Sequence, residues 1–334
     1  MRNTLIAAAV LGALAAPVMA DGNVTLYGQV NVVGAYVDDG TTKTIKVDNA
    51  YTSSRLGFRG EEDLGDGLKA YFQIEQGIRP DDGTSGNFAS REGWVGLQGS
   101  FGKLGLGRGK TPYTNMADWF DGYSDSGKGL PIYDNKLVGA TAVLDSRFNN
   151  TVRYDSPSMS GFGASVAYSA GENKDDSVTP AKKSSDGLSA LLKYGSGPLN
   201  LGLAYAQQKN KAGVNDVDNS AWMIGGTYAI DALSFGLAFQ AAEQDAAVDS
   251  KRNSWLGAVA YKFGATTLRG GVIVHDKIER GGSDVADSEF VRYSVGIKQA
   301  LSKRTAVLAE FTGDDNKGAT KDLNAFSVGV LHTF

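Results

Sequence analysis

The chain ends Ala325-Phe326-Ser327-Val328-Gly329-Val330-Leu331-His332-Thr333-Phe334, and this stretch decides the fold. Phe326, Val328, Val330, His332 and Phe334 share one parity, while Ala325, Ser327, Gly329, Leu331 and Thr333 share the other. Successive side chains of a β-strand point to opposite faces, so one face here is mostly apolar and the other mostly small or polar. In a soluble sandwich the apolar face packs on a second sheet. In a membrane barrel it meets lipid, and the other face lines water.

The same alternation recurs upstream. Leu199, Leu201, Leu203 and Tyr205 alternate with Asn200, Gly202, Ala204 and Ala206; Leu233 to Phe239 and Val291 to Ile297 repeat the pattern. Tyr168, Tyr194, Tyr205, Tyr228, Tyr261 and Tyr293 fall near strand ends on the apolar parity, where a ring with a polar tip suits the headgroup level. The opposite parity carries Lys69, Glu75, Arg269, Arg292, Lys298 and Glu310. These fit a polar lumen rather than a packed core, so the membrane barrel is favoured over the sandwich.

Sixteen candidate strands fit the chain, from 23–37 and 51–61 at the start to 304–313 and 323–334 at the end. Tilted strands of about 9–11 residues suffice to cross a bilayer. Connections alternate in length: tight turns such as Asp63-Leu64-Gly65-Asp66 and Gly195-Ser196-Gly197 lie between polar stretches at 38–50, 80–87, 111–146, 171–185, 209–219, 242–251, 277–288 and 314–322. Short turns on one rim and long loops on the other are the pattern of an outer-membrane barrel. No composition break divides the chain, which is read as one barrel domain over 21–334.

Residues 1–20 read as a cleaved secretory leader: Arg2, an apolar stretch from Leu5 to Ala16, then Val18-Met19-Ala20 before Asp21. Its removal leaves 314 of the 334 residues and takes the formal net charge from −4 to −5. After it, no apolar run of about 18 residues is available for a spanning helix. The absence of cysteine excludes disulfides, thiolate metal sites and cysteine nucleophiles. Mild acidity without a basic stripe argues against nucleic acid. The two histidines, His275 and His332, lie on separate strands, so enzymatic chemistry has little to stand on, and neither a cofactor motif nor metal-ligand spacing stands out. Gly107-Arg108-Gly109-Lys110-Thr111 mimics a phosphate-binding loop, but Leu104 occupies the first glycine position and no helix pattern follows, so it reads as a strand end.

Parity also sorts the charges. With Leu56 and Phe58 outward, Arg55, Arg59 and Glu61 face in; with Phe148, Val152 and Tyr154 outward, Arg147, Thr151 and Arg153 face in. Arg108 shares parity with Leu104 and Leu106, so an inward position for it requires a bulge. The longest loop, 111–146, carries Asp118, Asp121, Asp125 and Asp134 beside Trp119, Phe120 and Tyr123. A loop of that length is usually functional or disordered. Folded inward, it sets acidic groups opposite the arginines.

Leu26-Tyr27-Gly28, the run Ser54-Arg55-Leu56-Gly57-Phe58-Arg59-Gly60-Glu61-Glu62-Asp63-Leu64-Gly65, Val95-Gly96-Leu97, Leu106-Gly107-Arg108, Val152-Arg153-Tyr154-Asp155-Ser156-Pro157 and the closing His332-Thr333-Phe334 together resemble the general porins of Gram-negative outer membranes. The resemblance is to the sixteen-stranded trimeric type common in β-proteobacteria and covers residues 21–334. It implies passive diffusion of small hydrophilic solutes and ions through a water-filled pore, a third long loop folded inward, and a homotrimer set in outer-membrane lipid and lipopolysaccharide. The family's basic cluster falls on Arg55, Arg108 and Arg153, with Arg59 and Arg147 as neighbours, and Phe334 resembles the family's assembly signal. The alternative is a substrate-selective channel, or a barrel acting mainly as adhesin or receptor.

Overall fold

The computed structural model describes residues 24–124, 129–130, 144–318 and 321–334. The leader, Asp125 and Asp134 lie outside these residues. Nineteen strands form among them: β1 (Val24–Asp38), β2 (Lys43–Asn49), β3 (Arg55–Gly65), β4 (Leu68–Gly77), β5 (Glu92–Gly99), β6 (Gly102–Lys110), β7 (Arg147–Asp155), β8 (Phe162–Ser169), β9 (Gly187–Ser196) and β10 (Leu199–Gln208). The series continues with β11 (Asp218–Ile230), β12 (Leu233–Asp245), β13 (Ser250–Phe263), β14 (Thr266–His275), β15 (Glu279–Arg280), β16 (Ser283–Asp284), β17 (Phe290–Ala300), β18 (Thr305–Asn316) and β19 (Leu323–Thr333). Their pairings are antiparallel within one sheet, and β19 returns to pair with β1 from Gln29↔Thr333 to Asp38↔Asn324, closing the ring.

Sixteen barrel strands result. β2 pairs with β1 along Val32–Asp38 and β3 pairs with it along Val24–Gln29, so these two are halves of one broken strand. β15 and β16 form a small hairpin in the loop after β14. The break in the second barrel strand is made by side chains that replace ladder bonds. Ser54 Oγ accepts from the Asn31 amide at 2.8 Å, and Asn49 Oδ1 accepts from the Ser54 amide at 3.0 Å. Part of the stretch expected as loop 38–50 is therefore strand, its Ile45 and Val47 alternating among polar neighbours.

The two faces are inverted relative to a soluble sheet. Leu237 is 68% and Val295 61% exposed, whereas Glu310 is 1% and Arg269 4% exposed. An apolar outer belt around buried charge is stable only where lipid covers the belt. One expectation of facing fails. The ladder between β6 and β7 shifts register between Gly107 and Gly109, where Asn149 and left-handed Asn150 (φ 50°) add a residue. Such a bulge flips the parity beyond it. Phe148 is accordingly buried, with its ring against inward Gly187, rather than outward beside Val152 and Tyr154.

Candidate pore constriction

After β6 the chain turns into the lumen. Thr111 caps a short helix, α1 (Pro112–Ala117), its Oγ1 accepting from the Thr114 amide at 3.1 Å. Pro112 occupies the first turn, where a missing N–H costs nothing. A helix thus follows the Gly107–Thr111 string after all, although it is only six residues long. A 3-10 turn, Asp118–Tyr123, continues from it.

The inward wall was expected to line a polar lumen; beneath this loop it is a packed apolar core instead. Tyr113, Met116, Ala117, Phe120 and Tyr123 pack on Ala204, Ala206, Ala221, Met223, Ala238, Leu256, Ala258 and Ile273. Small wall residues admit the loop. A Cβ on Gly202 would lie 2.8 Å from Met116 Sδ, and one on Gly236 would lie 2.9 Å from the Phe120 ring. Buried polar groups are bonded: Tyr113 donates its amide to Ser189 Oγ at 3.0 Å, and its hydroxyl accepts from Gln240 at 2.6 Å.

The loop is latched again at Gly122 and Ser124. Ser124 Oγ donates to Glu310 Oε1 at 2.8 Å and lies 3.0 Å from Ser294 Oγ. Arg269 donates to the Gly122 carbonyl at 3.3 Å and pairs with Glu310 at 3.4 Å. Both ionic side chains are essentially fully buried, at 1% and 0% exposure. Residues 111–124 therefore cross the lumen from the β6 side to the β14–β18 wall.

Opposite stands a charged wall. Arg55 on β3 donates to Gln29 Oε1 at 3.1 Å and lies 3.9 Å from Glu75 on β4. Arg91, just before β5, pairs with Glu75 at 2.6 Å and donates to Ser53 Oγ at 3.0 Å. Arg147 lies 3.6 Å from Glu92, whose other oxygen accepts from Trp94 at 2.7 Å. Asp118 of the loop forms an ion pair with Lys110 and stands within electrostatic range of Arg55 and Arg147 without touching either. Cations and carboxylates are thus interleaved along the wall beside the loop.

The sequence-derived candidates divide. Arg55, Arg147 and Asp118 come together in this cluster. Arg153 lies beside it in a different arrangement, doubly bonded to Asp155 at 2.9 and 2.8 Å and donating to the Lys110 carbonyl at 2.9 Å, so it steadies the root of the loop. Arg108, at the bulge, donates to the Ser90 carbonyl at 2.9 Å and to the Asn149 side chain. Arg59 sits lower, its guanidinium 5.2 Å from the centre of the Tyr27 ring. Asp121 lies on the 3-10 turn, where its carbonyl accepts from the Ser124 amide at 3.1 Å. Arg91, Glu92 and Lys110 are cluster members that the sequence reading did not single out. Glu92 could have been found by parity, but Arg91 precedes the regular strand and could not.

The histidines are separate. His275 is stacked on Phe290 with ring centres 4.2 Å apart, and its Nδ1 lies 2.7 Å from Ser254 Oγ, with all three side chains away from the charged wall on β13, β14 and β17.

A closed antiparallel barrel with an apolar belt, and a loop strapped across its lumen beside a charged wall, defines a membrane channel. The sequence profile of the Gram-negative porins matches residues 7–319, and the chain belongs to that family. It is 32% identical over 333 residues to outer membrane porin protein 32 of Delftia acidovorans, covering 96% of this chain and 91% of that one. It is 32% identical over 360 residues to the major outer membrane protein P.IB of Neisseria meningitidis, covering all of both chains. Among solved structures, an anion-selective porin from Comamonas acidovorans superimposes with a TM-score of 0.81 at 26% identity, covering 94% of this chain and all of that one. The chain is accordingly an outer-membrane barrel and a channel for passive diffusion.

Proposed function

We propose that this barrel is a general diffusion pore for small hydrophilic solutes and ions, constricted between the wall cations Arg55, Arg91, Arg147 and Lys110 and the loop carboxylate Asp118. The observation that carries the reading is the course of residues 111–124 across the lumen beside that wall, with Asp118 paired to Lys110 at the root of the loop. Four wall cations outnumber Glu75, Glu92 and Asp118, the carboxylates interleaved with them. Guanidiniums stay charged at any working pH, and rings of Arg or Lys favour anions. Exposed rim charges are screened over about 8–10 Å at physiological salt, so the −5 total of the processed chain has less influence than the constriction. The similarity to the anion-selective porin from Comamonas acidovorans supports the same sign. Asp121, Arg59, Arg108 and Arg153 contribute to the field around the passage or to its geometry, and Asp125 is assigned to the same acidic loop by its place in the sequence. The functional unit is a homotrimer in outer-membrane lipid and lipopolysaccharide, exported through the cleaved leader, and it carries out transport without chemistry.

The test is a planar bilayer under a KCl gradient. The wild type is expected to show an anion-selective reversal potential, and Arg55→Ala with Arg91→Ala moves it toward cations by unmasking Glu75. A cation-selective wild type, unmoved by those substitutions, contradicts the assignment of the constriction.

A further inference from the structure

The long loop rejoins the barrel through residues 144–147, and this return segment touches three parts of the constriction's frame. Leu144 belongs to the apolar core beneath the loop. The Ser146 carbonyl accepts from the amide of Thr111, the residue that caps α1, at 3.1 Å. Arg147 is the wall cation 3.6 Å from Glu92. Among them, Asp145 is held by a clasp from the end of β10 and the connection that follows it. Its carboxylate takes Lys211 Nζ on one oxygen and Gln208 Nε2 on the other, each at 2.7 Å. Gln208 Oε1 accepts in return from the Asp145 amide and from Lys211 Nζ, again at 2.7 Å each.

The clasp is itself fixed by the loops of the long-loop rim. Asn210 stands between its two members in the left-handed conformation (φ 46°), which asparagine tolerates better than most residues. Its Nδ2 donates to the Ser184 carbonyl at 2.6 Å, and its own carbonyl accepts from Ser185 Oγ at 2.8 Å, both on the connection from β8 to β9. Further out, Asn215 Nδ2 donates to the Ala181 carbonyl at 2.7 Å, and Lys183 pairs with Asp216. The two connections thus form one cap. A cavity of about 260 Å³ has Asp145, Arg147, Gln208 and Lys211 in its wall, together with Glu172 and Asn173 of the first connection.

We propose that Gln208 and Lys211 are positioning residues for the pore, and that through them the cap of outer loops sets the geometry of the passage. The inference rests on the constriction proposed above and adds control of it from the long-loop rim. The coupling runs through bonded groups at each step: cap to Asn210, its neighbours Gln208 and Lys211 to Asp145, and Asp145 to the adjoining Ser146 and Arg147. Such a chain transmits a displacement where one of its members has two discrete arrangements. The clasp is that member. The Asp145 side chain is 58% exposed against 11% for Lys211, so water competes for the carboxylate and the clasp opens on its own. With it open, Leu144 keeps its packing, while Ser146 and Arg147 lose the fixed neighbour that places them beside Thr111 and Glu92.

Single-channel recording in KCl tests the clasp. Gln208→Leu changes no charge and Lys211→Met removes one. Both are expected to raise the time spent off the main conductance level about fivefold, the ceiling for a part-exposed ion pair. The reversal Asp145→Lys/Lys211→Asp keeps the net charge and is expected to restore the steadiness that Asp145→Lys alone lacks, which a field effect or a loss of stability would not do. The chain has no cysteine, so Glu172→Cys places a single thiol in the cavity wall. A bulky thiol reagent added to folded channels from the long-loop side is expected to unsettle their current, and to change nothing further once Asp145→Ala has opened the clasp. Steady current in Gln208→Leu and Lys211→Met overturns the positioning role, as does a reversed pair no steadier than Asp145→Lys. An equal response to the reagent with Asp145→Ala present overturns it too, and this arm decides if a clasp variant yields no channels. Arg55→Ala with Arg91→Ala separates the two readings, since it leaves the clasp intact and is expected to shift the reversal potential of a steady current. No shift there, with the clasp variants unsteady and the reversed pair restored, removes the constriction assignment and keeps the positioning role.

Discussion

Glu310 fixes the loop at Ser124, because it bonds that residue and neutralises Arg269 in a buried site. Removing one member of a buried pair strands the other charge and costs about 3–5 kcal/mol, while replacing both by apolar groups is often neutral. Glu310→Ala is therefore expected to lower the thermal midpoint of the folded barrel and to make the open-channel current noisier. Glu310→Leu with Arg269→Met recovers most of the midpoint but not the quiet current. A Glu310→Ala barrel as stable and as quiet as wild type contradicts the latch. At this scale, the sequence is readable wherever the pleat is regular. Arg55, Glu75, Arg269 and Glu310 face inward as parity requires, since the period of two follows from backbone geometry alone. Phe148 was misread because one extra residue at Asn149–Asn150 reverses the parity, and those two residues give little warning of it. Arg91 was missed because it stands one residue outside β5.

At the scale of elements, residues 111–124 behave as a strap held at Thr111 and Ser124 with an apolar middle. The helix α1 is too short to be stable alone, so its geometry comes from Tyr113, Met116 and Phe120 packing on the alanine and glycine wall. Phe120, 1% exposed, is the largest apolar side chain of the 3-10 turn to be wholly enclosed. Phe120→Ala is expected to cost about 3–5 kcal/mol of local packing. Because the barrel ladders are untouched, the loss is read mainly in the pore. Conductance rises and fluctuates, and protease nicks the loop sooner, while barrel unfolding shifts less than it does for Glu310→Ala. Unchanged conductance and protease resistance contradict the packing role. The strap's path was legible only in part. Length and acidity marked the loop as functional, but its course depends on fit to alanines and glycines from β10 to β14, a complementarity between distant segments that no local pattern records. The broken second barrel strand was hidden for a related reason, since its gap is closed by Asn49 and Ser54 side chains rather than by a turn motif.

At the scale of the whole molecule, closure and association are separate questions. The ring closes within one chain, so no partner is needed to satisfy strand edges. The outward faces of β1 and β3, with Val30, Val32 and Phe58, and the outer face of β19 offer the contact expected for a trimer. Unheated detergent samples should sediment as trimers, and a clean monomer by light scattering in mild detergent contradicts this. The seam itself separates two roles for Phe334. Its amide and carbonyl exchange hydrogen bonds with Gly28 at 3.1 Å each, and its ring covers Gly28 so closely that a Cβ there would lie 2.8 Å from Cζ. Ten residue pairs, Gln29 to Asp38, already zip β1 to β19 without it. Deleting Phe334 removes two backbone bonds worth about 1 kcal/mol each, a small loss for a completed barrel. If the terminal ring also serves as the signal that assembly machinery reads, its loss acts before closure, when no ladder yet compensates. Phe334 deletion is therefore expected to lower the outer-membrane level strongly, while the barrels that do form unfold within a few degrees of wild type. Equal outer-membrane levels of the two proteins under normal expression would reduce Phe334 to a seam residue.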